Sequence, residues 1–246
     1  MTKAEIKLIK SLSNKQDRVV TGLFVAEGEK LISELIESDL AIGKIFALEG
    51  LFEGDNVEVV SKKDLERVSF LKSANNSIAL VRIPRWRLSY EDLKDKLVLA
   101  LDDVQNPGNI GTIIRIADWF GIEDIVCSEA SADCFNPKVI QATMGAILRV
   151  RIHYVDMPTF LGRMSADGVP IYGTFLEGEN IYNAKLSRGG VIVMGNEGRG
   201  VSPQSAACVG NKLLIPPFPV GREGSESLNV AVATSIVCSE FRRRTF

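Results

Sequence analysis

Histidine is nearly missing from this chain of 246 residues, which holds only His153. A Ser-His-Asp triad or a centre of several imidazoles is thereby excluded, except around His153 itself. That residue lies in LRVRIHYV, a strand-like run, and a side chain on a strand surface is its simplest role. Cysteine is sparse as well. Cys127, Cys134, Cys208 and Cys238 are irregularly spaced with no CxxC pair, so no structural zinc or other metal is expected. They read as small, mostly buried, reduced hydrophobes. Charge of one sign is also lacking, since 29 Lys and Arg stand against 31 Asp and Glu for a net charge of −2. Overall charge therefore does not mark a nucleic-acid binder. Long apolar runs are absent, because charged residues interrupt every candidate, and no membrane partner is expected. The opening MTKAEIKLIKSLSNKQ has no apolar signal core, and the expected location is cytoplasmic.

With 46% hydrophobic and 24% charged residues, the chain can build one large domain or two modest ones, each with a core. Residues 1–87 carry 14 Lys and Arg against 13 Asp and Glu. Local basic clusters stand at Lys62-Lys63, at Arg82, Arg85 and Arg87, and at Arg242-Arg243-Arg244. Each reads as a solvated surface ahead of a phosphate contact.

Helical and strand-like patterns alternate over about residues 3–82. A lysine-rich amphipathic start is followed by GLFVAEG (strand), KLISELIES (helix), KIFAL and EVVS (strands), KKDLERVSFL (helix) and NSIALVRIP (strand). This predicts a small α/β unit. RWRLSYEDLKD after Pro84 reads as a linker, in which Trp86 packs on a neighbour or stacks on a base. From Lys96 a second α/β alternation begins with the apolar run KLVLALDDV, which ends in acidic residues. It closes on a helix, SLNVAVATSIVCSEFRRR. Short apolar strands with glycine-rich ends predict a mostly parallel sheet covered on both faces.

Ligands of such sheets bind beyond the carboxyl ends of the strands, and three segments put loops there. In QNPGNIGTIIRIADWFG (105–121), Asn109 is positioned to cap a helix and Gly108 and Gly111 allow close approach. A turn and a cap do not account for Arg115, a cation in a stretch dominated by isoleucine. In VIVMGNEGRGVSP (191–203) an apolar strand runs into Gly195, Asn196, Glu197, Gly198 and Gly200. Neither a dinucleotide fingerprint nor a P-loop is present, which argues against an oxidoreductase or a kinase. In LLIPPFPVGREGSESLNVAVA (213–233), Ser227 and Asn229 stand where the final helix begins, again a capping position. Taken alone, the second segment is equally well an ordinary strand-to-helix connection, and the third is better read as a cap.

Together and in this order, N-x-G-N-I-G-x-x-x-R, M-G-N-E-G-x-G and I-P with S-L-N-V-x-V-A resemble the SpoU/TrmH family of RNA 2′-O-ribose methyltransferases. FNPKVIQATMGAILRV (135–150) between them is similar too, and the likeness covers about Lys96 to Arg244. The resemblance implies a small N-terminal α/β RNA-binding domain, ribosomal-protein-like (1–84), a linker (85–95), and a mostly parallel α/β domain with a C-terminal trefoil knot (96–246). It implies S-adenosyl-L-methionine as cofactor, an RNA substrate (23S-type ribosomal RNA ahead of transfer RNA) and a homodimer. Carried over by position, Asn109, Arg115, Glu197, Ser227 and Asn229 are the catalytic-site residues. Met194, Gly195, Asn196, Ile215 and Leu228 are the cofactor contacts, largely through backbone. PPFPVGREGSES (216–227) is a few residues longer than the family's usual segment. A guanidinium is nearly always protonated, so Arg115 is expected to stabilise charge on the ribose oxygen or to grip a phosphate, oriented by Glu197. The competing reading is a catalytically silent RNA-binding protein that keeps a methyltransferase-like domain.

Overall fold

The computed structural model describes residues 1–219 and 227–244, so most of the extended segment 216–227 lies outside the described residues. Two compact units are formed: Met1–Arg85 with Asp133–Leu148, and Trp86–Ala132 with the chain from Arg149 onward.

The first unit opens with α1 (Lys3–Ser11), whose start is fixed by a capping box. The Thr2 hydroxyl accepts from the Glu5 N–H, while the Glu5 carboxylate accepts from the Thr2 N–H. α2 (Lys15–Thr21) is capped by Asn14 and ends at Gly22, at φ 65°, a left-handed conformation that glycine adopts without strain. There follow β1 (Leu23–Glu27), α3 (Glu29–Ile36), β2 (Ile42–Ala47), β3 (Val57–Val59), α4 (Lys62–Val68) and β4 (Ser77–Arg82). The sheet order is β1-β4-β2-β3, parallel only between β2 and β3. Strand alternation sorts β1 between two faces. Val25 joins Ile6, Ile9, Leu12, Phe46 and Leu65 in one core cluster. Phe24 instead sets its ring 5.0 Å from that of Phe135.

The second unit contains α5 (Tyr90–Leu93), β5 (Leu97–Leu101), α6 (Pro107–Trp119) and β6 (Asp124–Ser128). The chain then contributes α7 (Pro137–Thr143) to the first unit. It continues with β7 (Arg151–Val155), α8 (Met157–Ala166), β8 (Ile171–Asn180), β9 (Gly190–Met194), α9 (Pro203–Ala206), β10 (Asn211–Leu214) and α10 (Val230–Arg243). Six strands pair in the order β10-β8-β9-β5-β6-β7, every pair parallel. β5, β6 and β9 are buried along their whole length, which is why they read as continuous apolar runs rather than alternating ones. All carboxyl ends consequently share one edge.

Three expectations meet the structure differently. The segment Asp133–Leu148, expected in the second domain, groups with the first unit. Its ties there are the Phe24–Phe135 ring contact and the buried Arg18, which donates to the Asp133 carboxylate and to the Leu12 carbonyl (2.6 Å). His153 is buried rather than on an open strand surface. It pairs diagonally across the β6–β7 ladder with Asp124, its Nε2 3.1 Å from Oδ1, and Arg151 donates to both oxygens of the same carboxylate. Burial pushes the Asp124 carboxyl up, but the hydrogen bonds from His153 and Arg151 outweigh it and hold it well below the usual range. The arginine run at 242–244 is not simply a solvated surface. Arg242 donates to the Phe120 and Gly121 carbonyls, while Arg243 and Arg244 hold the buried Glu240. Cys127, Cys134 and Cys238 are buried and Cys208 partly so, as expected. No helix among the described residues is long and apolar enough to cross a membrane.

Candidate active site

At the carboxyl edge of the parallel sheet, β5 ends in two aspartates that tie its loop to the loop after β9. The Asp102 carboxylate accepts from the Ser202 N–H (2.8 Å). Asp103 has φ 60°, a left-handed conformation uncommon outside glycine. It is held there from several sides. Its N–H donates to Ser128 Oγ (2.8 Å), its carbonyl accepts from Asn196 Nδ2 (2.8 Å), and its carboxylate accepts from Gln105 Nε2 (2.7 Å) and from Arg199.

α6 starts one turn earlier than expected. Pro107 occupies its first position, favourable for a residue without an N–H. Asn106, not Asn109, is the cap, accepting from the N–H groups of Gly108 (2.8 Å) and Asn109 (3.3 Å). Relieved of capping, the Asn109 side chain reaches across loops. Its Nδ2 donates to Glu197 Oε1 (2.6 Å), and its Oδ1 accepts from Asn229 Nδ2 (3.0 Å). Asn229 is a cap, as expected: its Oδ1 accepts from the N–H groups of Ala231 and Val232 at the start of α10. A continuous chain thus runs from the Glu197 carboxylate through Asn109 and Asn229 into the backbone of α10.

Glu197 sits exposed at the tip of a tight loop. Asn196 and Gly200 exchange two backbone hydrogen bonds of 2.9 Å, and Asn196 Oδ1 accepts from the N–H groups of Gly198 and Arg199. At the loop's base a Cβ on Gly195 would lie 2.2 Å from the Gly200 carbonyl carbon and the Val201 nitrogen, so only glycine fits.

Of the expected site residues, Asn109, Glu197 and Asn229 touch one another. Arg115 is exposed, on the face of α6 that also carries Thr112 and Trp119, and about 9 Å along the axis from Asn109 at 1.5 Å per residue. Glu197 bonds Asn109 rather than Arg115, and Arg115 has no hydrogen-bond or ion-pair partner among the described residues. Ser227 is exposed immediately before α10. Of the expected cofactor contacts, Met194 ends β9 and Gly195 and Asn196 follow it. Ile215 stands one residue past β10, and Leu228, 49% exposed, directly precedes the Asn229 cap. Asp102, Asp103, Asn106 and Arg199 were not anticipated. Their only signal is the acidic pair closing an otherwise apolar strand, and a polar residue before proline.

Comparison with known proteins gives matches over both halves of the chain. The model of the SpoU rRNA Methylase family matches residues 96–239, and that of the MRM3-like substrate binding domain matches residues 3–79. A relative from Bacillus subtilis, the 23S rRNA (guanosine(2553)-2'-O)-methyltransferase RlmP, is 29% identical over 97% of this chain and 96% of its own. A solved TrmH-family structure from Porphyromonas gingivalis is 35% identical, covers 99% of both chains and superposes with a TM-score of 0.90. An AdoMet-bound rRNA methyltransferase from Sinorhizobium meliloti is 27% identical, covers 100% of this chain and 97% of its own, and has a TM-score of 0.88.

Proposed function

The chain belongs to the SpoU rRNA methylase family, and we propose that it transfers a methyl group from S-adenosyl-L-methionine to a ribose 2′-hydroxyl of structured RNA, a 23S-type ribosomal RNA ahead of a transfer RNA. The single observation that carries the reading is the hydrogen-bonded chain Glu197–Asn109–Asn229, which joins all three motifs at one sheet edge. A capped turn needs none of these links.

The residues beside that chain fit the cofactor by their chemistry. Met194 is apolar and buried, Gly195 keeps backbone close to backbone, Ile215 just past β10 is partly exposed, and Leu228 just before α10 is exposed, both offering apolar surface. With Asn196 they would hold the adenosyl group largely through main-chain contacts. When bound, the cofactor supplies an already activated methyl on a sulfonium. What remains for the protein is to hold the ribose oxygen in line and to stabilise the charge that develops there as its proton leaves. Arg115 is the group assigned to that charge, through direct donation from its guanidinium fork or through an adjacent phosphate. Glu197 is kept in one orientation by Asn109, and Ser227, two residues before the Asn229 cap, is assigned to the same site.

The reading includes a homodimer. Arg115 shares its helix face with Trp119, 84% exposed, and the packed helix α10 presents Val232, 50% exposed. Apolar side chains this open, together with a functional cation that has no partner among the described residues, support a site completed by a second copy. The reading also includes the C-terminal knot and a cytoplasmic setting. Anchoring of α10 through Arg242 to 120–121 and through Arg244 to the Ile181, Tyr182 and Ala184 carbonyls supports a C-terminal segment held between two loops. Residues 1–84 are assigned to RNA recognition, by shape and unpaired loops rather than by net charge, with 85–95 as the linker and 96–246 as the methyltransferase domain by motif and family match, although Asp133–Leu148 groups in space with the first unit. Calorimetry with S-adenosylhomocysteine, NAD and ATP tests the cofactor. Binding of the first alone is expected, and binding of either nucleotide without it would contradict the reading.

A further inference from the structure

α6 and α10 are packed against each other and run in the same direction, because they are tied at both ends. At the site end, Asn229 Nδ2 donates to Asn109 Oδ1 at 3.0 Å. At the far end, the Arg242 fork spans two successive carbonyls beyond the end of α6, with Nε to Phe120 O at 2.7 Å and Nη2 to Gly121 O at 3.0 Å. Thirteen residues separate Asn229 from Arg242, about 20 Å of helix at 1.5 Å per residue. We infer that Arg242 is a remote positioning residue: by gripping the end of α6 it fixes the axial register of α10, and so holds Asn229 on Asn109 at the opposite end.

A helix is stiff along its axis, so a register set at one end is transmitted to the other. One residue of slip moves Asn229 by about 1.5 Å, enough to carry a 3.0 Å hydrogen bond outside its working range. An error of about 1 Å in a reacting constellation can cost on the order of a hundredfold in rate. The planar fork matters here, because two carbonyls in fixed relation are matched by two parallel N–H groups, and an ammonium grips only as a point. The neighbouring Arg243 provides an internal comparison. It carries the same charge on the same turn, but its fork goes to Glu240 within α10, and among the described residues it makes no hydrogen bond to α6.

The inference rests on the methyltransferase reading only for its kinetic arm. In the full-length protein labelled on asparagine, the side-chain amide resonances of Asn109 and Asn229 are assigned by their alanine variants. Arg242→Gln is expected to shift both and to speed their exchange, whereas Arg243→Gln leaves both in place. Arg242→Lys, which keeps the charge and one donor, should fall between wild type and Arg242→Gln and secures the test if the glutamine variant does not fold. Single-turnover methyl transfer to rRNA from cells lacking the gene should drop by about tenfold or more in Arg242→Gln. In an Asn229→Ala background the same change should cost less than about twofold, because the two act as one unit. Unmoved amide resonances in Arg242→Gln, or an equal loss in both backgrounds, would overturn the inference. A wild-type protein that transfers no methyl would defeat the functional reading alone and leave the amide resonances to decide.

Discussion

Asn109 shows why an asparagine is required where a carboxylate or a hydroxyl would not serve. It must donate to Glu197 and accept from Asn229 at once, and only a carboxamide does both across that span. The sequence made Asn109 visible as a polar residue at a helix start, but not its task, because the choice between Asn106 and Asn109 as cap depends on where Pro107 begins the helix. Arg115 was legible for the opposite reason: it is a lone cation in an isoleucine-rich stretch, and it stands on the exposed face with Thr112 and Trp119 rather than in the core. Removing its fork while keeping its charge, Arg115→Lys, is expected to lower the rate of methyl transfer by about a hundredfold, in the range seen when one donor to a developing oxyanion is lost. Full turnover in that variant, measured on undermethylated rRNA, would contradict the role given to it. Gly195 yields a prediction on stability instead. Gly195→Ala drives a Cβ into the Gly200–Val201 backbone and should destabilise the fold by about 1–3 kcal/mol, seen as a lowered midpoint in urea together with weakened S-adenosylhomocysteine binding.

Among the elements, β5, β6 and β9 of the second unit were the most legible, since burial along their whole length leaves apolar runs that no exposed helix would tolerate. The arginine run closing α10 was the least legible. Nothing local indicates that Arg243 and Arg244 serve Glu240 while Arg242 reaches another helix, because those partners are set by packing. Glu240 carries a pH prediction. The hydrogen bond from Arg243, seconded by Arg244, lowers its carboxyl to about 2 against the resistance of burial. A folded-state value below that of the unfolded chain means stability that is complete above the ordinary value of 4.5 and lost as the pH falls from there toward about 2. The melting temperature of Glu240→Gln should therefore lie below wild type at pH 7, with the gap narrowing below pH 4.5 and closing as the pH approaches 2. A gap that stays constant across this range would show that the ion pairs contribute nothing.

For the whole molecule, alternation of helices and strands announced two α/β units, and the order of three motifs announced the family. The membership of Asp133–Leu148 was not announced, because the chain leaves the parallel sheet after β6 and returns at β7 without any change of composition. The link that fixes it is the buried Arg18. Its guanidinium is 2% exposed and spends its donors on Asp133 and on the Leu12 carbonyl. Removing one partner of a largely buried ion pair strands the other, and Arg18→Met is expected to cost about 3 kcal/mol in urea unfolding. A change below about 0.5 kcal/mol, the size of a surface substitution, would place this pair among surface contacts.

The central claim, a ribose methyltransferase acting on ribosomal RNA through Arg115, is tested most directly by mapping 2′-O-methyl groups across total RNA from cells with and without the gene. Loss of a methyl at a defined ribose of 23S-type rRNA is expected on deletion, restored by the wild-type chain and not by Arg115→Ala. An unchanged methylation map, or restoration by the alanine variant, would contradict the account.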